Sequence, residues 1–311
     1  MFTISQYVFA GLGLVALILV INTLRGTWFW YKEGKKLQTS GYMTPASPFI
    51  ARWTFLAVAN LATRLFVGPL HKHGLANAKY EGRGLVLPNH ICIWDFVAVK
   101  KAIPYGYRQL SKAAEIKQPV IATLAAWIGT VGVQVEGGKS QDGGGQAVID
   151  TGAAILKASK GSRMLLFPQG KLVYTGAISP DSFRTGATRM VQKAGAEIDG
   201  EPIFIQPVAL RYHRDKSEAS WFQRIVYALG LGLIRKYRYT EKKLGADGQP
   251  VVVNGKEVWE KKSFTIYGAS VYICPPIPFS ELQGSPREAI EKVRLSIEAG
   301  LKKITPAGLA S

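Results

Sequence analysis

The sequence predicts a layered α/β domain that follows an N-terminal membrane helix. Three observations support this fold class. Short β-rich runs alternate with helical patterns along the chain, Met1 to Leu24 carries no charged residue, and apolar residues make up 47% of the 311 residues. The mean hydropathy of +0.07 is high for a soluble protein. Because the apolar excess is concentrated in separate stretches, we expect contact with a membrane.

The first element is the uncharged N-terminal segment. Tyr7 to Ile21 is almost unbroken apolar sequence, close to the length that a spanning helix needs. No basic region precedes it and no A-x-A-like site follows, which favours an uncleaved anchor over a signal peptide. Lysines and an arginine then mix with Trp and Tyr up to residue 36, a pattern typical of the cytoplasmic side. We expect residues 1–36 to be a single-pass transmembrane anchor with a basic flank, and the remaining chain to lie on the cytoplasmic face of the membrane.

Two later segments are also candidates for membrane contact. Phe49 to Leu70 is apolar but contains Arg52 and Arg64, so it suits a helix lying in the membrane interface better than one that spans. A buried helix of the main domain is an equal alternative, and residues 37–78 are interpreted as interfacial or linking helices. Trp221 to Tyr239 is similarly apolar and basic, and the same two alternatives apply to it.

The elements of the main domain follow from hydrophobic periodicity. β-rich runs are found at residues 84–87, 130–135, 164–167 and 203–210. Helical patterns lie at residues 118–127, 146–157 and 183–194, and an amphipathic helix is expected from Pro286 to Ile304. This alternation predicts strands and helices in separate layers.

Charge and cysteine content narrow the class of partner. The chain has 39 Lys and Arg against 21 Asp and Glu, a net charge of +18, which favours anionic partners. The basic residues are scattered and form no recognition motif, so we expect no nucleic acid partner. The two cysteines, Cys92 and Cys274, fit neither a disulfide framework nor a zinc site, and we expect no bound metal.

The strongest chemical signal is His90 followed by Asp95. A neutral imidazole can take a proton from a hydroxyl near pH 7, and a carboxylate on its other nitrogen would fix the tautomer. On one continuous helix the two side chains would point about 140° apart. The pair therefore requires His90 on a turn and Asp95 in the first part of the next helix, and the Pro88-Asn89 break permits this. Taken alone, the spacing also suits a surface histidine near a helix start.

Two further blocks extend the pattern: Phe167-Pro168-Gln169-Gly170 follows a second hydrophobic run, and Pro207-Val208 lies in a third. Together they resemble the glycerol-3-phosphate and lysophosphatidic acid acyltransferase family, whose motifs are N-H-x4-D, F-P-E-G and a later P-V strand. The resemblance covers roughly residues 85–210. The matching residues are Asn89, His90 and Asp95 in the first motif, Phe167, Pro168 and Gly170 in the second, Pro207 and Val208 in the third, Phe183 to Ala187 in an F-K-x-G-A-like segment, and, loosely, Ser111 and Lys112.

The resemblance implies a mixed sheet flanked by helices, with residues 79–311 as the acyltransferase domain. It implies transfer of a fatty acyl group from acyl-CoA or acyl carrier protein, as co-substrate, to a lipid hydroxyl such as that of 1-acylglycerol-3-phosphate, with membrane lipids as partners and no bound cofactor. His90 and Asp95 would be catalytic. The substrate-binding residues would be Asn89, Phe167, Pro168, Gln169, Gly170, Lys171, Lys112 and Arg184.

The sequence also departs from the family pattern. Gln169 occupies the usual Glu position, Leu172 stands where an Arg is common, and the Arg expected just after Glu136 is absent. Arginines there help to hold the acceptor's phosphate, so other basic residues would have to replace them: Lys171, Lys139, Arg184 or Arg211. The alternatives are an acceptor without phosphate, such as a glycolipid, an amino-acid lipid or another lipid alcohol, and an inactive membrane scaffold.

Overall fold

The structure is a computed structural model, which describes residues 17, 24–36, 60–78, 81–103, 106–116, 122–123, 125–126, 129–133, 144–198, 202–231, 235–245 and 249–306. Residues 24–36 are helical. No helix within these ranges combines the length and the apolar character that crossing a membrane requires. The predicted anchor up to Leu24 lies outside the described residues except for Leu17 and Leu24, so it stays a prediction.

Twelve strands are found in the described part of the chain. They are β1 (Leu70–His73), β2 (Arg83–Pro88), β3 (Arg108–Lys112), β4 (Val131–Val133), β5 (Arg163–Leu165), β6 (Ile203–His213), β7 (Lys236–Lys242), β8 (Val252–Val253), β9 (Lys256–Glu257), β10 (Trp259–Thr265), β11 (Gly268–Ile273) and β12 (Ile277–Pro278). Eight of them form one sheet in the order β1-β11-β6-β2-β5-β3-β4, with β12 beside β6.

The described residues also form α-helices and shorter helical turns. The α-helices are α1 (Asp95–Ala102), α2 (Gly144–Lys157), α3 (Gly186–Gly195), α4 (Trp221–Val226) and α5 (Pro286–Ile304). Two π-helical turns lie at Thr63–Val67 and Tyr227–Leu231, and 3-10 turns lie at Leu75–Asn77, Ala113–Ile116, Lys216–Glu218 and Phe279–Leu282.

The large sheet is mixed and mostly parallel. Strands β2 to β6 run parallel to one another, whereas β11 and β12 are antiparallel to β6, and β1 is parallel to β11. The central strand β6 is almost continuously buried, as a strand covered on both faces must be. It tolerates Pro207 because its neighbour changes there: β11 ends opposite Val208 and β12 begins opposite Ile205.

The two faces of the sheet are covered by different helices. Leu85 and Leu87 of β2 face a core shared with α2, α3 and α5, while Val86 between them faces a core shared with α1. The period of two along β2 therefore separates the two cores. This architecture confirms the predicted α/β class, a mixed sheet flanked by helices.

Several predicted elements agree closely with the structure. Each predicted β-rich run overlaps a strand of the large sheet, and α5 has the predicted bounds. Helix α5 begins there because Ser285 caps it by accepting a hydrogen bond from the Arg287 N–H, with Pro286 in the first turn. The helix predicted at residues 118–127 lies largely outside the described residues.

Other predictions differ from the structure. Residues 221–239 are not one helix, because Lys236 to Tyr239 belong to β7, where basic residues alternate with tyrosines. The sheet also begins before residue 79, the boundary expected from sequence, since β1 occupies Leu70–His73. With only four residues, most of them polar, β1 is too short to show a hydrophobic pattern.

A hairpin stands apart from the large sheet. Strands β7 and β10 pair in antiparallel register from Lys236 opposite Thr265 to Lys242 opposite Trp259. Beyond this ladder, β8 and β9 form a smaller hairpin whose turn contains Asn254 and Gly255, both with positive φ. This turn suits Asn-Gly because both residues tolerate the left-handed region. We call residues 236–245 and 249–265 the basic hairpin.

Candidate active site

The candidate residues lie at the carboxyl edge of the parallel strands. β2, β5 and β3 are parallel neighbours within the sheet. His90 follows the end of β2, Gln169 follows the end of β5, and Lys112 is the last residue of β3. Ligands of open α/β sheets bind outside this edge. The sheet topology therefore brings to one edge residues that are far apart in the sequence.

His90 and Asp95 are in direct contact. The Asp95 Oδ2 atom lies 2.8 Å from His90 Nδ1, and the carboxylate is fully buried while about a fifth of the imidazole is exposed (21%). His90 lies on the turn after β2 and Asp95 is the first residue of α1. With Nδ1 donating to the carboxylate, the lone pair of Nε2 is left to accept a proton.

Asp95 is held by more than His90. Its Oδ2 atom also accepts hydrogen bonds from the backbone N–H groups of Ile91 and Cys92, the latter at 3.0 Å. Its Oδ1 atom accepts from the Tyr212 hydroxyl at 2.9 Å, and the Cys92 thiol lies at 3.6 Å. These bonds compensate the carboxylate for its lost hydration and fix its orientation.

Two of these partners stay protonated. Burial, together with the Asp95 charge, raises the pKa of Cys92 well above its ordinary value. Burial likewise raises the pKa of Tyr212, again with a contribution from Asp95. Cys92 is therefore a neutral thiol inside the core rather than a nucleophile, because the thiolate is the reactive form.

The block after β5 holds the imidazole from the other side. The Phe167 ring stacks on His90 with 3.8 Å between centroids and 15° between planes. The Gln169 Oε1 atom accepts a hydrogen bond of 2.6 Å from the His90 backbone N–H, and Gln169 is only 2% exposed. Pro168 is buried and its carbonyl accepts from the Arg184 N–H at 2.9 Å. The His90 carbonyl in turn accepts from the Val173 N–H at 2.8 Å.

Asn89 connects the His90 turn to β6. Its side-chain amide donates to the Leu210 carbonyl at 2.9 Å, and its oxygen accepts from the Leu210 N–H at 2.7 Å. The side chain is 1% exposed. Asn89 thus extends the pairing of β2 with β6 past the end of the ladder, which keeps the His90 turn against the sheet.

The basic residues are divided between the site and other contacts. Lys171 and Arg184 are exposed next to the Gln169 block, and the Arg184 guanidinium lies against Gly170. Gly170 has φ +63°, and a Cβ atom there would come within 2.8 Å of Arg184 Nε, so a glycine allows this close approach. Lys112 is half-buried at the end of β3.

The structure does not place Arg211 or Lys139 beside Gly170. Arg211 forms an ion pair of 2.6 Å with Glu218, so its guanidinium is already engaged by a carboxylate. Lys139 lies outside the described residues. Among the four basic residues considered from sequence, Arg184 and Lys171 are therefore the ones found beside Gly170.

Sequence reasoning missed residues that come from later strands. Tyr212 lies at the end of β6, and Arg214 follows that strand. The Arg214 guanidinium donates to the Tyr174 carbonyl and lies 3.9 Å from the Phe264 ring centroid. Burial lowers the pKa of Arg214. The only signal in the sequence was the period of two, which places Tyr212 on the same face of β6 as Val208 and Leu210.

This arrangement can perform proton transfer at Nε2 of His90. The imidazole is oriented by Asp95 and by the Phe167 ring, and it is open to solvent on one side. Within the described ranges, no group of three or more His, Cys, Asp or Glu side chains is placed to hold a metal ion. The site therefore offers general base chemistry by a positioned histidine.

The chain was compared with family models, curated proteins and solved structures. The family model described as Acyltransferase matches residues 69–211, which include every site residue predicted from the sequence but not Tyr212 and Arg214. No curated protein sequence matches significantly. Among solved structures, the 1-acyl-sn-glycerophosphate (LPA) acyltransferase PlsC from Thermotoga maritima is similar with a TM-score of 0.49 and 14% identity. That match covers 92% of this chain and 99% of the other.

Proposed function

We propose that this acyltransferase, in which residues 69–211 make up an Acyltransferase-family domain, moves a fatty acyl group from a thioester to the free hydroxyl of 1-acylglycerol-3-phosphate. The observation that carries the proposal is the contact between His90 and Asp95 at the carboxyl edge of the sheet. The neighbouring cations Lys171 and Arg184 support an acceptor with a phosphate group.

The proposed reaction is a direct transfer. Nε2 of His90 removes the proton of the acceptor hydroxyl while Asp95 stabilises the imidazolium that forms. The acceptor oxygen attacks the thioester carbonyl carbon, a C–O bond forms, and the C–S bond breaks. The leaving thiolate then takes from His90 the proton that came from the acceptor hydroxyl. No acyl-enzyme is needed, and the burial of Cys92, which keeps its thiol protonated, agrees with this.

The acceptor's phosphate would lie beside Gly170. Arg184 offers a planar set of donors that can bind a phosphate through two parallel hydrogen bonds, and Lys171 adds a point charge. Arg184 and Lys171 would together replace the arginine that the family commonly has at the position of Leu172. Gln169 keeps its place in the block by accepting from the His90 N–H, a role that needs no carboxylate charge.

A second candidate acceptor carries no phosphate. The observation that favours it is Gln169, which is 2% exposed and uncharged where the family has a Glu. A glycolipid, an amino-acid lipid or another lipid alcohol would then be acylated by the same pair, His90 and Asp95.

The remaining components of the proposal concern the donor and the location. The donor is acyl-CoA or acyl carrier protein, used as a co-substrate, and no bound cofactor takes part. We further propose that residues 1–36 anchor the enzyme in the membrane with the catalytic domain on the cytoplasmic face, where membrane lipids supply the acceptor.

The test is transfer by the purified protein in detergent. Thiol release from acyl-CoA or acyl carrier protein is measured with 1-acylglycerol-3-phosphate, beside His90→Ala and Asp95→Asn. We expect both variants to lose about a hundredfold or more in kcat, since a general base contributes about 10²–10⁴-fold.

Two substitutions examine the phosphate site. Arg184→Ala should raise KM for 1-acylglycerol-3-phosphate about tenfold or more, whereas Arg189→Ala, which removes an exposed arginine from α3, should leave it unchanged. Transfer that depends on His90 only when a phosphate-free lipid is supplied would overturn the phosphate acceptor. Absence of His90-dependent transfer to a total membrane-lipid extract would overturn the proposed activity and favour a scaffold.

A further inference from the structure

The basic hairpin has two faces of different chemistry, and its inner face is attached to the catalytic domain. Because β7 and β10 pair in register, Tyr237, Tyr239 and Phe264 share this face. Tyr239 stacks on Tyr174 with 4.1 Å between ring centroids, and Phe264 lies under the Arg214 guanidinium. Burial raises the pKa of Tyr237 to about 12. The aromatic part of the inner face is thus packed against the catalytic domain. Towards the tip, the same face carries Lys262, which forms ion pairs with Glu241 and Glu260.

The outer face is cationic and exposed. It presents Lys236, Arg238 and Lys242 from β7, and Lys261 and Trp259 from β10. No Asp or Glu occurs at these alternate positions of the ladder, since Glu241 and Glu260 point to the inner side. Lys242 is paired with Glu257 at 2.6 Å. Lys236, Arg238 and Lys261 have no ion pair with any residue in the described part of the chain.

The tip of the hairpin combines apolar side chains with further lysines. Four large apolar side chains are more than half exposed there: Leu244 (56%), Val252 (56%), Val253 (54%) and Trp259 (55%). Lys243 and Lys256 are exposed beside them. Transfer of such side chains from water into an apolar medium is favourable. An exposed apolar cluster surrounded by cations marks an interaction site.

We propose that the basic hairpin docks on an anionic membrane surface. The apolar tip enters the boundary between head groups and acyl chains, and the outer-face cations lie against lipid phosphates. The negative surface potential of an anionic membrane attracts Lys and Arg side chains that lie close to it. An acidic carrier protein would also attract the cations, but the valines and Trp259 at the tip fit the head-group boundary better, where tryptophan is enriched.

Docking would position the catalytic edge at the lipid surface. The inner face contacts Tyr174, whose neighbour Val173 donates its N–H to the His90 carbonyl. A docked hairpin therefore holds the His90 turn at a fixed distance from the lipids. The proposal concerns a surface outside residues 69–211 and does not depend on which acceptor is acylated.

A local probe on the full-length protein tests the proposal. Cys92 and Cys274 are buried, so a thiol-reactive fluorophore such as NBD will label a surface cysteine introduced by Val253→Cys. The control is Leu295→Cys on α5, which has a similar exposure of 51% and lies on the other face of the sheet. The labelled proteins are reconstituted in nanodiscs that contain nitroxide-labelled lipid, either with phosphatidylglycerol or with phosphatidylcholine alone.

We expect strong quenching at position 253 in the anionic nanodiscs, weak quenching in the neutral ones, and weak quenching at position 295 in both. The triple variant Lys236→Glu, Arg238→Glu, Lys261→Glu should lose most of the quenching at position 253. The matched variant Lys292→Glu, Lys302→Glu, Lys303→Glu reverses the same number of charges on α5 and should retain it. Added salt of about 0.5 M should act like the first variant, since it screens the charges.

Other outcomes would overturn the proposal. Equal quenching at positions 253 and 295, or none at 253 with anionic lipid, excludes docking by this hairpin. A response at position 253 to acyl carrier protein without lipid, and not to anionic nanodiscs, would assign the surface to the carrier instead. Transfer between detergent-dispersed substrates should remain within about twofold in the hairpin variant, so failure of docking is distinguishable from failure of the proposed activity.

Discussion

The Asp95 carboxylate is held in its contact with His90 by several further hydrogen bonds. Its Oδ2 atom accepts from His90 Nδ1 and from two backbone N–H groups, and its Oδ1 atom accepts from the Tyr212 hydroxyl. A buried carboxylate without such donors would be strongly disfavoured. The same bonds that allow the charge to be buried also aim it at the imidazole. Tyr212 is therefore a positioning residue, since it acts through Asp95.

The substitution Tyr212→Phe should lower kcat by about tenfold, roughly 1.4 kcal/mol, with little change in KM. It removes one hydrogen bond to Asp95 and leaves the aromatic ring in the core. Steady-state kinetics measures both constants. The control is Tyr272→Phe on β11, whose hydroxyl bonds Lys303 away from the site and should retain wild-type kcat. An unchanged kcat in a folded Tyr212→Phe protein would contradict the positioning role.

At the scale of single residues, local geometry was informative only for local contacts, and the distant Phe167 and Gln169 came from the family resemblance. His90 and Asp95 are five residues apart, so their meeting could be worked out from the geometry of a turn followed by a helix. Tyr212 is separated from Asp95 by 117 residues. Its hydroxyl reaches the carboxylate because β6 lies beside β2 in the sheet, and strand order cannot be deduced from a local pattern.

At the scale of elements, one arginine joins two helical turns. Arg235 is 8% exposed and donates through Nε to the Leu65 carbonyl at 2.8 Å, and also to the Arg64 carbonyl. A third bond of 2.7 Å reaches the Tyr227 hydroxyl. The two carbonyls belong to the π-helical turn before β1. Arg235 thus connects that turn to the segment between α4 and β7.

The substitution Arg235→Lys should lower the free energy of unfolding by about 2–4 kcal/mol, because one ammonium group cannot reach three acceptors that a guanidinium spans. Chemical denaturation in detergent micelles measures the change. Arg238→Lys is the matched control, since Arg238 is exposed on the adjoining strand β7 and should change the stability by less than about 0.5 kcal/mol. Equal stability of both variants would show that the buried bonds contribute nothing.

Elements were predictable in proportion to their hydrophobic pattern. The bounds of α5 followed from its capping serine, its proline and its periodicity. The strands β1 and β3 escaped detection because Leu70–His73 and Arg108–Lys112 are polar or half-buried and show no alternation. β7 was mistaken for the end of a helix, since the apolar run before it extended the pattern.

At the scale of the whole molecule, β1, β11 and β6 meet in a junction that contains histidines. His213 of β6 is 9% exposed and bonds Ser270 of β11 at 2.8 Å, and its ring lies 5.5 Å from the ring of His71 on β1. Burial lowers the pKa of His213, and the nearby Arg211 acts in the same direction. The folded protein therefore holds His213 neutral.

This junction predicts a loss of stability on acidification. In the unfolded chain the His213 pKa returns to about 6.5, so between that value and the lower folded pKa the unfolded state binds more protons. The free energy of unfolding should fall as the pH drops from about 7.5 to about 5.5. His213→Gln should reduce this fall, and Lys72→Gln, at an exposed position on β1, should not. Identical pH dependence in all three proteins would contradict the prediction.

The pairing of β1 with β11 also sets an order on biosynthesis. Leu70 lies opposite Ala269, so the first strand of the sheet has to wait until nearly 200 further residues have been made. At translation speeds of about 5–20 residues per second, this interval is roughly 10–40 s. During that time the N-terminal region has left the ribosome, but β1 cannot pair because β11 has not yet been made. With the membrane anchor proposed for residues 1–36, contacts of that segment with the membrane would form first, and the catalytic domain would complete its folding next to the lipid surface.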